Sequence, residues 1–172
     1  INNIEKIEHP AVRETLKYFK SSEGLEIHHD GDLPARSGLG SSSTFTVGLI
    51  NCMNALEGIY NSPYQLASSA IHIEQDLIKE SVGSQDQISA AYGGFNEIGF
   101  HQDGSFSLQP TTISKNRLYD LNSHLMLFYT GISRFSSEIA QSQIANMGNC
   151  FNQMNELFDM VDEGSSILRN IN

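Results

Sequence analysis

The sequence predicts an α+β layered domain, and three observations carry that prediction. Apolar residues recur at helical spacing in several separate segments. Short stretches of strand character stand between them. A cluster of two glycines and three serines, residues 38–43, is set tightly between a strand-like stretch and an apolar, helix-like run. Alternation of this kind is what a packed layer of helices and strands needs. At 172 residues the chain is long enough for one domain with a real core.

HPAVRETLKYFK (9–20) predicts the first helix. Pro10 suits a first helical position, where its missing N–H is no loss, and Val12, Leu16 and Phe19 fall on one face. GLEIHHDGD (24–32) predicts a short strand closing in a turn, with His28 and His29 on opposite faces. Beyond the Gly/Ser cluster, Phe45, Leu49, Met53 and Leu56 recur at helical spacing, and Val47 and Ile50 broaden the face. A helix from about Ser42 to Leu56, stopped at Gly58, follows. SPYQLASSAIHIEQDLIKE (62–80) predicts a further helix, capped by Ser62 with Pro63 in its first turn. VGSQDQ breaks that pattern, and DQISAAYGG predicts a short helix ended by Gly93 and Gly94. FNEIGF and SFSLQP form a hairpin around Asp103–Gly104. HLMLFYT (124–130) is a continuous apolar run and predicts a buried strand.

The composition changes at Ser133. Ile139, Ile144, Met147, Phe151, Met154, Leu157, Phe158 and Val161 predict long amphipathic helices whose apolar face needs a partner surface. Residues 1–132 and 133–172 are therefore expected to belong to different domains, the second largely helical. An exposed apolar face on 135–161 is also open to self-association, so a homo-oligomer is among the expected partners. The chain opens at Ile1 rather than Met and closes inside a helical pattern. The expectation is a piece of a longer protein.

The formal charge is −10 and the pI about 4.9. That argues against nucleic acid as a partner, since binding to a phosphate backbone needs clustered Lys and Arg. It leaves nucleotides open, because a helix N-terminus holds phosphate with backbone N–H groups. No stretch approaches the roughly 20 apolar residues of a membrane span, so no membrane partner is expected. Cys52 and Cys150 are far apart and match neither a zinc spacing nor a disulfide framework. Free thiols and a cytoplasmic location are expected. The six histidines are scattered, and no metal site is expected from them.

Gly38 and Gly40 allow positive φ and close backbone approach to a ligand. Ser41, Ser42 and Ser43 can cap the following helix and contact phosphate or its metal. The G-x-x-x-x-G-K-[ST] pattern fails because no Lys follows Gly40, and G-x-G-x-x-G fails for want of a third glycine. Spacing alone leaves a phosphate-binding turn and a tightly packed, capped turn both open. A second constellation, IEQDLIKESVGSQDQISAAYGG (73–94), contains Glu74, Asp76, Glu80 and Asp86. A solvated helix face explains Asp76, Lys79 and Glu80. Asp86, flanked by two amides at a helix start, is either a cap or the acceptor of a substrate hydroxyl proton, with a second carboxylate on Mg²⁺.

PARSGLGSSSTFTVG (34–48) resembles the phosphate-binding motif of the GHMP small-molecule kinases, roughly P-x-x-x-G-L-G-S-S-[AS]-[AST]. Pro34, Gly38, Leu39, Gly40, Ser41 and Ser42 match it position by position, and Ser43 stands where many relatives carry Ala. GSQDQ resembles the G-x-x-D-Q motif of the sugar-kinase branch, and Glu74 stands twelve residues before Asp86, where that branch places its Mg²⁺ ligand. VGSQDQISAAYGGFNEIGF and LMLFYTGISRFSSEIA are most similar to the D-glycero-D-manno-heptose 7-phosphate kinases. The resemblance implies the ribosomal protein S5 domain 2-like fold in the first part and the start of the C-terminal domain after residue 132. It implies ATP bound over 38–43, Mg²⁺ held by Ser42 and Glu74, and Asp86 on the sugar hydroxyl. The reaction implied is phosphoryl transfer to O1 of heptose 7-phosphate in nucleotide-heptose synthesis. Gln85, Gln87 and Arg134 are the expected substrate contacts, and Arg36, Lys79 and Arg117 the other cations open to a sugar phosphate.

Two family elements, a GGGTD-like sugar motif and a GAGGGG-like C-terminal motif, are not in the sequence. The resemblance therefore implies that this chain alone is inactive. Two further readings stay open: another sugar 1-kinase of fucose or galactose type, and a non-catalytic ligand-binding module on the same fold.

Overall fold

The computed structural model describes residues 3–32, 38–129, 131 and 136–169. The described chain divides into two compact units. One takes the residues up to 93 together with 136–141, the other 94–131 and the residues from 142 onward. The domain boundary expected near residue 133 lies outside the described residues.

The first unit is helical. A single 3-10 turn, Ile4–Lys6, leads into α1, Pro10–Tyr18, which starts on its proline as expected. α2 spans Ser41–Leu56. It ends through Gly58 at φ +70°, a left-handed position that costs glycine nothing. α3, Pro63–Ile71, opens with a capping box: Gln65 N–H donates to Ser62 Oγ, and the Gln65 side chain accepts from Ser62 N–H. α4, Gln85–Tyr92, ends at Gly93 and Gly94, both at positive φ.

The helix expected over 62–80 does not stay α-helical. From His72 to Leu77 it widens into a π turn, with Ile78 N–H bonded to the Ile73 carbonyl at 2.9 Å. Lys79, at φ +64°, then turns the chain out, and Glu80 N–H bonds the Glu74 carbonyl at 3.0 Å. The reason lies in the apolar spacing. Leu66, Ala70 and Ile73 are buried together at intervals of four and three, and the next side chain packed on them is Ile78, five residues on. Leu77, where an α-helix would put the contact, is exposed.

α2 is the central element. One side packs Val47 and Ile50 against Leu66, Ala70 and Ile73, with Ala90 and Ala91 of α4 closing the cluster. The other side packs Leu49 and Met53 against Leu16, with Val12 and Phe19 alongside. Ile50, Ile73 and Ile88 are fully buried. Burying each stabilises the fold by about 1.5–3 kcal/mol relative to exposure.

Residues 24–32 do not form the strand expected of them. A strand is defined by a partner for its N–H and C=O groups, and no described residue pairs with these. They run in no regular structure, with Leu25 and Ile27 exposed.

In the second unit, β1, Asn96–Phe100, pairs antiparallel with β2, Phe106–Pro110, in the register Asn96↔Pro110 to Phe100↔Phe106. The turn falls at Asp103–Gly104 as expected. Gly104 sits at φ +83°, and Asp103 Oδ1 accepts from Ser105 N–H and Oγ–H. α5, Lys115–Ser123, capped by Ser114, has no counterpart in the sequence expectations. The strand expected at 124–130 is overturned for its described residues, which form no strand. Met126 and Leu127 are each 81% exposed. α6, Ser136–Asn146, whose residues up to Gln141 belong to the first unit, and α7, Phe151–Arg169, bear out the helical character expected after residue 133. Ser165 and Arg169 of α7 both bond Glu97 of β1.

Candidate functional site

The site is built where three helical elements of the first unit meet. Gly40, at φ +70° and ψ 17°, is the N-cap of α2 and offers no side chain to cap it. The first backbone bond of the helix runs from Thr44 N–H to the Gly40 carbonyl at 3.0 Å. The N–H groups of Ser41, Ser42 and Ser43 therefore have no helical carbonyl to bond, and they face outward with the positive end of the helix dipole. Gly38, at φ +78°, completes a turn that glycine adopts freely. Leu39 of the same turn is 47% exposed.

α4 brings Asp86 to this turn. A Cβ added to Gly40 would stand 3.0 Å from Asp86 Cγ and 3.2 Å from its Oδ2. The missing side chain of Gly40 is thus what admits the carboxylate. The placement of α4 is fixed from below. Gln75 Nε2 in the π turn donates to the Val82 carbonyl at 2.9 Å and to Ser84 Oγ at 3.2 Å, which holds the loop leading into the helix.

Glu74 lies beneath. It is 1% exposed, and its Oε2 accepts from Ser43 Oγ at 2.9 Å and from Gln87 Nε2. Its Oε1 is buried without a hydrogen-bond partner. A buried acceptor left unpaired is costly, and an orphaned carboxylate oxygen suits a hard cation such as Mg²⁺. Among the described residues no group of three or more His, Cys, Asp or Glu is placed to hold a metal. A cation here would draw its remaining oxygens from hydroxyls, phosphate and water. The neighbouring Glu80 carboxyl is pushed above its ordinary range, first by burial and then by the charge of Glu74.

The sequence-selected residues are only partly brought together. Gly38, Leu39, Gly40, Ser41, Ser42 and Ser43 form the turn, and Asp86 meets it. The hydroxyl bonded to Glu74 is that of Ser43, whereas Ser42 stands exposed one residue earlier. Gln85 is exposed at the start of α4. Gln87, expected on the substrate, is fully buried against Glu74. Arg117 bonds the Ile167 carbonyl within the second unit. Pro34, Arg36 and Arg134 lie outside the described residues. Gln75 had no sequence signal beyond its place in a helical pattern. An open groove of about 620 Å³ borders the turn, lined by residues 25–32 and by α2 from Ser41 to Leu56. That volume is in the range of small-molecule sites.

The site is thus a helix N-terminus with no side-chain cap, one carboxylate set against it and a second buried below. The profile of the GHMP kinases N-terminal domain matches residues 4–94, just over half of the chain. The chain belongs to the GHMP kinase family, and its fold class is α+β. Over 132 residues it is 29% identical to a D-glycero-α-D-manno-heptose 7-phosphate kinase of Campylobacter jejuni, covering 77% of this chain and 39% of that protein. Over 122 residues it is 29% identical to a galactokinase of Pyrococcus furiosus, covering 71% of this chain and 32% of that protein. A solved structure described as a D-glycero-D-manno-heptose 1-phosphate kinase from Bacteriodes thetaiotaomicron superposes with a TM-score of 0.56 at 28% identity. It covers 66% of this chain and 38% of its own. The chain thus spans about two fifths or less of these relatives' length.

Proposed function

We propose that this chain is the phosphate-binding part of an ATP-dependent sugar kinase, which transfers the γ-phosphoryl group to O1 of D-glycero-D-manno-heptose 7-phosphate. The observation that carries the reading is the Asp86 carboxylate set against Gly40 at the N-terminus of α2. It supports a triphosphate lying over residues 38–43 and an acceptor hydroxyl between that triphosphate and Asp86. The groove beside α2 would take the nucleoside. The N–H groups of Ser41 to Ser43 bind phosphate, and Asp86 orients the hydroxyl and accepts its proton. Positioning matters more than strong basicity for a loose phosphoryl-transfer transition state. Glu74, through its orphaned Oε1, and Ser42 would hold Mg²⁺, which would neutralise charge on the β- and γ-phosphates. Residues from 133 onward would open the C-terminal domain, and a cytoplasmic site of action suits the free Cys52 and Cys150.

The choice of a heptose phosphate rests on two relatives whose names carry that sugar. Those names put the phosphate at different carbons. A galactose-type substrate is the second reading, favoured by the equal identity to a galactokinase. The test is ADP release from Mg-ATP by the protein that carries this chain, extended to the full length of its relatives. Heptose 7-phosphate, heptose 1-phosphate, galactose and fucose are offered in parallel. Turnover on heptose 7-phosphate alone is expected. Asp86→Asn is expected to lower kcat by about 10²- to 10⁴-fold while ATP affinity holds. Equal losses of turnover and affinity in that variant would make Asp86 structural. Turnover on a neutral sugar only would keep the kinase and discard the heptose.

A further inference from the structure

We propose that Gln87 is a positioning residue for Glu74 and makes no contact with the sugar, an inference that rests on the cation-dependent reading of the site just given. Gln87 is fully buried and its Oε1 has no hydrogen-bond partner, so the polar end in use is its Nε2. Its Nε2 donates to Glu74 Oε2, the oxygen that also accepts from Ser43 Oγ at 2.9 Å. Two donors from two different helices, α2 and α4, thus converge on one carboxylate oxygen carried by the π turn. A carboxylate can accept about four hydrogen bonds over its two oxygens. Loading both donors onto Oε2 fixes the plane of the group and leaves Oε1 without a partner. Remove the Gln87 donor and Glu74 can rotate, so that Oε1 no longer keeps one direction.

The neighbouring residue in α4 is Asp86, exposed and set against Gly40. Consecutive helical residues point about 100° apart. One turn of α4 therefore presents Asp86 to the phosphate turn and Gln87 to the buried acid. A substrate contact would instead require Gln87 to reach an open surface, and it has none.

The test uses the full-length protein and a readout other than turnover: Mn²⁺ binding in the presence of ADP, followed by electron paramagnetic resonance. Gln87→Met keeps the length of the side chain and removes the donor. It is expected to weaken Mn²⁺ binding about 10- to 100-fold, the usual cost of losing a group that orients a metal ligand, with the sugar KM unchanged. Gln87→Asn, with a shorter amide, is expected to fall between Gln87→Met and the parent. A raised sugar KM with unchanged Mn²⁺ binding would overturn the proposal in favour of a substrate contact. Failure of both variants to fold would also overturn it, leaving Gln87 a core amide. Glu74→Gln separates the two layers of inference. If it leaves Mn²⁺ binding intact, the cation reading itself fails. If it abolishes binding while Gln87→Met does not, only the role of Gln87 fails.

Discussion

α2 and α7 are both long helices with an apolar stripe, and they differ in what becomes of it. In α2, Val47, Leu49, Ile50 and Met53 are buried on two sides, against α3 and α4 and against α1. In α7, Phe151 is 67% and Phe158 69% exposed, and no described residue after Ile88 is buried. The second unit holds together through its hairpin and through polar bonds such as Arg169 to Glu97 at 3.0 Å. Helical periodicity therefore reports that a segment is amphipathic. Whether the stripe is used depends on a surface that periodicity does not describe.

The widest test of this contrast pairs Ile73→Ala with Phe158→Ala. The first empties a fully buried site and is expected to cost about 2–5 kcal/mol. The second removes an exposed ring and is expected to stay within about 0.5 kcal/mol. Urea midpoints read both, and equal losses would break the distinction between the units. Gly40→Ala comes next. Its left-handed backbone costs a Cβ-bearing residue about 1–2 kcal/mol, and the added carbon presses on Asp86. Gly40→Val is expected to lose ATP binding as well, and unchanged affinity by calorimetry would sink the phosphate turn.

Two helix caps sharpen the comparison. Ser62→Ala, which breaks a capping box in the first unit, is expected to cost about 1 kcal/mol of global stability. Ser114→Ala removes the acceptor for Arg117 N–H in α5, a helix without buried residues. It is expected to speed amide exchange in that helix and leave the unfolding midpoint in place.

The smallest effect is in α1. Burial alone would raise the Glu14 carboxyl, but hydrogen bonds from Arg13 and Lys17 outweigh it and hold Glu14 below its ordinary range. A carboxyl lowered in the folded state adds stability above its unfolded pKa of 4.5 and loses it as pH falls through the folded value. Glu14→Gln should therefore melt slightly below the parent at pH 6, with the gap closing in acid. Partly exposed surface pairs of this kind contribute little, so a large gap would be the surprise.

What was legible in the sequence is what is decided locally. The Ser62 cap, the Gly58 and Gly93 stops and the Asp103–Gly104 turn each depend on a few adjacent residues, and each stands where it was expected. Residues 24–32 and 124–129 read as strands because their composition is strand-like, but pairing needs a neighbour that composition cannot supply. α5 was missed because Lys115, Asn116, Asp120 and Asn122 leave it little apolar stripe. In the site, the meeting of Asp86 with Gly40 could be anticipated from two motifs. The bonding of Ser43 and Gln87 to Glu74 could not, since it depends on which way three helices face.

The wide turn at His72–Leu77 has a consequence for how this chain can change in length. Ile73 and Ile78 both lie in or against the core although five residues, and not four, separate them, and the π turn takes up the extra residue. Loss of one exposed residue there, Asp76 or Leu77, would restore ordinary winding with Ile78 four residues from Ile73 and still on the core face. The chain between Gln75 and Val82, which ties the turn to α4, would then be one residue shorter. At this point the protein should tolerate a deletion at an exposed position better than a replacement of Ile73 or Glu74, both of which are buried.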